Sequence, residues 1–151
     1  MNIKILSRKN AVRLSYKEIE MPKVIISVSD PYKENAKFNR ENKSIKDVLY
    51  LSFYDINYEN RDISRGFEPM QTDDAQKILD FVLKWQNNVG EIWVNCEEGI
   101  SRSAGIAAAL TEHFGEDSKP IFESDSYAPN ELCYNLVKEA FAASKTDENV
   151  V

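Results

Sequence analysis

Cysteine and histidine are scarce in this sequence, and their scarcity excludes whole classes of chemistry. Two cysteines and one histidine in 151 residues are too few for a structural zinc site, which takes four Cys or His ligands, and for a disulfide scaffold. No stretch approaches the roughly 20 apolar residues of a membrane span, and the polar, charged start lacks the apolar run of a signal peptide. A soluble cytoplasmic protein with reduced thiols is the expectation, with no metal and no cofactor. Basic surplus is lacking too: 19 Lys and Arg against 25 Asp and Glu leave a net charge of −6 and a pI near 4.9. That balance disfavours nucleic acid and anionic membranes as partners, because both are held by clustered cations. Internal repeats and low-complexity linkers are also absent.

What remains suits one folded domain. Hydrophobic residues make up 42% and aromatics 11%, enough for a buried core. Residues 1–144 are read as a single domain and 145–151 as a frayed tail. Runs rich in β-branched residues predict buried strands at Val24–Val28, Val48–Phe53 and Ile92–Val94, with a shorter one at Ile3–Leu6. Thr72 as N-cap, Asp73 and Asp74 in the first turn, and Ala75, Ile78, Leu79, Val82 and Trp85 at helical spacing predict a helix that ends near Gly90. Further helices are predicted over Arg102–His113 and Asn130–Ala143. Strands alternating with helices give an α/β fold with a mostly parallel sheet of four to five strands and helices on both faces. Long charged loops at Asp30–Lys46 and Ile56–Gln71 are candidates for function.

The strongest chemical signal is the segment E-I-W-V-N-C-E-E-G-I-S-R-S-A-G-I-A-A-A-L. Cys96 ends a buried strand, Gly99 breaks the chain, and Arg102 and Ser103 open an Ala-rich helix. Such a turn aims backbone N–H groups and a helix N-terminus at one spot, as binding of a phosphate-like anion requires. Arg102 adds a planar fork of donors that holds two oxygens at once. The same positive end favours a thiolate, and thiols so placed have pKa values of roughly 3.5–7.5. A nucleophile and an anion cradle thus share one short stretch of chain.

Cys96-Glu97-Glu98-Gly99-Ile100-Ser101-Arg102-Ser103 resembles the C-x-x-G-x-x-R-[ST] loop of the cysteine-dependent protein tyrosine and dual-specificity phosphatases. The resemblance extends over roughly residues 48 to 141, through L-Y-L-S-F-Y-D, the helix ending L-D-F-V-L-K-W, and Y-A-P-N-E-L-C-Y-N-L, and is nearest to small bacterial or phage-type predicted tyrosine phosphatases. It implies their fold, no metal, and hydrolysis of phosphotyrosine or of phosphoserine and phosphothreonine as well, in a phosphorylated protein or peptide. Cys96 would attack phosphorus and become a phosphocysteine. The amides of Glu97, Glu98, Gly99, Ile100, Ser101 and Arg102, with the Arg102 side chain, would hold the phosphoryl oxygens. Ser103 would assist departure of the sulfur, and Asp55 would protonate the leaving group, with Asp62 as the alternative acid. Strand-to-helix cysteine loops also occur in thiol enzymes such as rhodaneses and arsenate reductases, but Ser103 and the P-N helix start favour the phosphatases.

Two features depart from that pattern. Asn95 stands where the family usually has His, and Asn carries no positive charge. Glu97 and Glu98 add negative charge beside a site that must attract phosphate. Together they keep open a second function, a weak or inactive phosphate-binding module. Elsewhere the ordinary roles prevail: Cys133, Trp85 and Trp93 as packing, Asp73 and Asp74 as helix-start charges, His113 as a cation at a helix C-terminus, and Arg61 and Arg65 as solvated loop charges or phosphate contacts. Asn130 is read as an N-cap and, from the resemblance, as a brace for the loop. The net acidity points to substrates with basic residues near the phosphate.

Overall fold

The protein, as a computed structural model, is described over residues 1–58 and 66–148. Its elements are β1 (Asn2–Ser7), α1 (Arg8–Ser15), β2 (Lys23–Ser29), β3 (Ile45–Ser52), α2 (Thr72–Trp85), β4 (Glu91–Cys96), α3 (Arg102–His113), α4 (Lys119–Glu123) and α5 (Glu131–Glu148). The four strands form one sheet in the order β1-β4-β2-β3, and every pair is parallel. The central strands β2 and β4 are buried along their whole length, which is why Val24–Val28 and Ile92–Val94 read as predominantly apolar runs. No helix among the described residues is long and apolar enough to cross a membrane.

Strand side chains alternate between faces, and the two faces are covered differently. Val24, Ile26, Ile92 and Val94 pack with Ile78 and Val82 of α2, Ile106 and Leu110 of α3, and Val137 and Phe141 of α5. Ile25 and Trp93 point the other way, against Ala11 of α1 and Ala36 and Phe38 of the loop before β3. One layer is therefore three helices, and the other is one short helix plus an extended loop.

Several expectations need correction. Helix α1 was not legible because only Ala11 and Ser15 of its eight residues are buried; its start is marked by Ser7, whose Oγ accepts from the Asn10 N–H at 3.1 Å. The five-residue α4 was missed for its shortness. The N-cap of α2 is Gln71 instead of Thr72, since Gln71 and Asp74 cap one another reciprocally; the Gln71 N–H donates to Asp74 Oδ2 at 2.8 Å. Strand β3 starts three residues earlier than expected, and α5 runs to Glu148, so part of the segment read as a tail is helical. Trp93 is fully buried, whereas Trp85 is partly buried and donates from Nε1 to Asp47 Oδ2 at 3.1 Å.

His113 is not a helix-end cation. Burial, with Lys145 adding to it, pushes its pKa below the ordinary value. Nε2 lies 3.0 Å from Gln86 Oε1, and Nδ1 is buried without a partner, so protonation would bury an unpaired donor. A histidine whose folded pKa lies below its unfolded value leaves the unfolded chain to take up the proton first as pH falls. Stability is then complete above about pH 6.5 and declines below it. The urea midpoint is expected to fall between pH 7 and pH 5.5, and His113→Gln is expected to shrink that difference. An unchanged difference in the variant would refute the assignment.

Candidate active site

All four parallel strands end on the same side of the molecule, and the turn between β4 and α3 lies at those ends, where open α/β sheets bind ligands. Cys96 closes β4 and is 2% exposed. Its Sγ lies 3.1 Å from Ser103 Oγ, and the Ser103 N–H points at the sulfur from 3.5 Å. Gly99 takes φ +72°, and a Cβ there would stand 2.6 Å from the backbone N of Ser7 and 2.7 Å from the carbonyl carbon of Leu6. The turn therefore rests directly on the end of β1, and only glycine fits.

The loop is anchored from outside through its carbonyls. Glu97 O accepts from the Arg8 N–H at 3.1 Å, Ile100 O from Ala128 at 3.0 Å and Ser101 O from Asn130 at 3.0 Å. In a trans peptide the next N–H points opposite to the carbonyl, and no peptide here is cis. The N–H groups of Glu98, Ser101 and Arg102 thus face away from those anchors, toward the inside of the turn and beside the N-terminus of α3. N–H groups so arranged can hold an anion.

Arg102 is buried, although it opens a helix. Its Nη1 donates to Asp30 Oδ1 at 2.9 Å and to the Phe53 carbonyl at 2.8 Å. Its Nε is buried with no hydrogen-bond partner. A buried charged donor left unpaired is costly, and Nε belongs to the guanidinium edge that grips two phosphate oxygens side by side. Asp30 was not singled out in the sequence; the available signal was its place directly after β2, the strand beside β4.

Asp55 lies above the same turn. Ser101 Oγ donates to its Oδ1 at 2.8 Å and Asn130 Nδ2 at 2.9 Å. Asn130 also donates to the Ile56 carbonyl at 3.1 Å and accepts from the Cys133 N–H at 3.0 Å, so one side chain caps α5 and ties Asp55 to the loop. Helix α3 comes this close because of Gly105: a Cβ there would lie 2.4 Å from Asn130 O. Asp62, Arg61 and Arg65 lie outside the described residues. Cys133 is buried, and burial pushes its thiol far up, so it packs as a neutral group.

The acidic residues of the loop differ from one another. Glu97 pairs with Lys33 at 3.1 Å, and that hydrogen bond raises the Lys33 pKa; Glu98 is exposed. Asn95 is buried, donates weakly from Nδ2 to the Cys96 carbonyl at 3.5 Å, and leaves Oδ1 without a partner. Lys33 and a set of aromatics at the rim were also missed in the sequence. The rings of Tyr32 and Tyr54 have centroids 6.4 Å apart, and Phe67 meets Tyr54 edge-on at 4.8 Å. These residues gather only because the ends of β2 and β3 and the start of α2 converge.

No family model matches the chain, and no curated protein matches it. Solved structures do. Human DUSP28 superposes with a TM-score of 0.62 at 14% identity, covering 96% of this chain and 94% of that one. PTPMT1, solved in complex with PI(5)P, gives 0.58 at 18% identity, over 97% and 94%. Human tyrosine phosphatase-like serine/threonine/tyrosine-interacting protein gives 0.57 at 20% identity, over 95% and 93%. The chain has the fold of the cysteine-dependent protein tyrosine and dual-specificity phosphatases.

Proposed function

We propose that this protein is a cysteine-dependent phosphomonoester hydrolase acting on phosphotyrosine in proteins, with phosphoserine and phosphothreonine as the broader form of the same specificity. The observation that carries this reading is the unpaired, buried Nε of Arg102, in the residue that closes the loop opened by Cys96. The Cys96 thiolate attacks phosphorus; an S–P bond forms as the bond from phosphorus to the leaving oxygen breaks. Asp55 supplies the proton to that oxygen, since both of its donors reach Oδ1 and Oδ2 is left to carry it. The loop N–H groups and Arg102 hold the oxygens of the transferring phosphoryl group. Water, giving its proton to Asp55, then cleaves the S–P bond, releases inorganic phosphate and restores the thiolate, with Ser103 beside the departing sulfur. The thiol must stay reduced, as the cytoplasm keeps it.

A second reading is a phosphoprotein-binding module of low or no activity. Asn95 in place of a cationic neighbour and Glu97 beside the nucleophile favour it, and one protein of this fold bears the name phosphatase-like and interacting. Hydrolysis of para-nitrophenyl phosphate across pH 5 to 7 separates the two. Turnover supports the enzyme; bound phosphate without turnover leaves only the binder. If the enzyme reading holds, Asp55→Asn lowers kcat by about 10²-fold on an ester with a poor leaving group and by less on para-nitrophenyl phosphate, because general acid catalysis matters most where the leaving oxygen is basic. A larger loss in Asp62→Asn would move the acid to that residue.

A further inference from the structure

Charge in this molecule is divided between the two layers. Residues 8–46, which form α1, β2 and the loop on one face, carry ten Lys and Arg against five Asp and Glu; residues 72–148 carry six against fifteen. The net charge of −6 therefore describes neither face, and the candidate site lies on the boundary between them.

The loop after β2 forms the site's rim on the basic side. Within a few residues, Asp30 bonds Arg102, Tyr32 meets Tyr54 next to Asp55, and Lys33 bonds Glu97 next to Cys96. Arg8, at the start of α1, donates to Ser29 Oγ and to the Glu34 carbonyl, neither of which cancels its charge. Beyond Lys33 the loop leads to a hollow of about 470 Å³ lined by Glu34, Lys37, Phe38, Arg40 and Tyr50, among others. Glu34 meets Lys37 only at 3.8 Å with both side chains exposed, a pair of little strength. Arg40 has no ion pair among the described residues. Exposed acidic residues lie elsewhere around the turn: Glu98 within it, and Asp125 and Glu131 flanking the Ala128–Asn130 segment that anchors Ile100 and Ser101.

We propose that the loop at residues 30–40 and the start of α1 form a docking surface for an acidic stretch of a phosphorylated protein, lying to one side of the phosphorylated residue and held by Arg8, Lys33, Lys37 and Arg40. This deepens the phosphate-binding reading of the Cys96 loop and rests on it. It reverses the preference for basic flanks that the net charge alone suggests. A chain segment fits this surface better than an anionic membrane does: it can place its acidic part over one rim, whereas a flat anionic sheet across the mouth would also meet Glu98, Asp125 and Glu131.

Fluorescent phosphotyrosine peptides that differ only in acidic or basic flanks, titrated into the Cys96→Ser protein, test this directly. The acidic peptide is expected to bind about tenfold tighter at low ionic strength, with the difference shrinking at high salt. Lys37→Glu with Arg40→Glu removes the preference, whereas Lys77→Glu with Lys84→Glu on α2, equal in charge, retains it. Equal binding of the two peptides, or a preference that survives the first pair of substitutions, overturns the proposal. So does binding to phosphatidylserine vesicles that the same pair abolishes and acidic phosphopeptides do not compete away. Turnover of para-nitrophenyl phosphate with no flank preference sinks this inference alone. Absence of both turnover and phosphopeptide binding sinks the underlying function with it.

Discussion

Cys96→Ser is expected to reduce hydrolysis of an aryl phosphate by at least about 10⁴-fold while phosphate binding persists. Replacing an attacking thiolate by a hydroxyl at neutral pH removes the nucleophile, and nucleophile removal in covalent catalysis costs on the order of 10⁴–10⁶. Nothing else in the cradle depends on the sulfur. The anchors of the loop run through the carbonyls of Glu97, Ile100 and Ser101, and Arg102 is held by Asp30 and the Phe53 carbonyl. Ser at this position keeps a partner for Ser103, whose Oγ and N–H both face the sulfur. The variant should therefore fold, and added phosphate should raise its unfolding temperature as in the wild type, because a ligand that binds only the native state stabilises it by mass action. Residual turnover within tenfold of the wild type would exclude Cys96 as the nucleophile. Loss of both turnover and phosphate-dependent stabilisation would instead show that the sulfur holds the loop together.

Arg102→Lys is expected to cost about 10³-fold in kcat/KM, the scale on which arginines act on transferring phosphoryl groups. Lysine keeps the charge but not the planar fork. In the wild type the two functions of the guanidinium are divided: Nη1 is consumed by Asp30 and the Phe53 carbonyl, at 2.9 and 2.8 Å, and Nε is buried without a partner. A lysine ammonium can satisfy Asp30 or reach the phosphate, but one point charge cannot present a fixed edge to two oxygens while bonded behind. Phosphate-dependent stabilisation should be lost along with activity. That pairing separates this effect from Asp55→Asn, which leaves the cradle intact and is expected to alter turnover more than binding. If Arg102→Lys retained both activity and phosphate stabilisation, the unpaired Nε would have no ligand role and the functional assignment would lose its main support.

How much of this was legible depended on how far each feature reaches along the chain. The central strands announced themselves because they are buried on both faces, which makes their middles, Val24–Val28 and Ile92–Val94, mostly apolar and β-branched. Helix α3 was placed correctly from its run of small helix formers and the glycine that stops it. Helix α1 was invisible because, of its apolar residues, only Ala11 is buried while Val12 and Leu14 pack against the core half-exposed, and the rest are polar. His113 looked like a cation favoured by a helix end, but burial, with Lys145 of α5 adding to it, lowers its pKa, and Phe141 of α5 packs against its ring.

The sequence by itself determined the local arrangement: a cysteine, a glycine and an arginine spaced so that a strand turns directly into a helix. These residues are close because they are joined, so their proximity needs no long-range contact, although the loop's final shape is held by Arg8, Ala128 and Asn130. Only the tertiary structure decided what that chemistry meets. Asp30 reaches Arg102 across 72 residues, Asp55 reaches Ser101 across 46, and Asn130 reaches Asp55 across 75. Pairings over such separations follow from strand order and from close approaches such as that of Gly105 to Asn130, which leave no local periodicity to read. The same holds for charge. Coulomb attraction falls with distance and is screened over about 10 Å, so the field at Cys96 is set by the charges folded beside it and not by the sum over the chain.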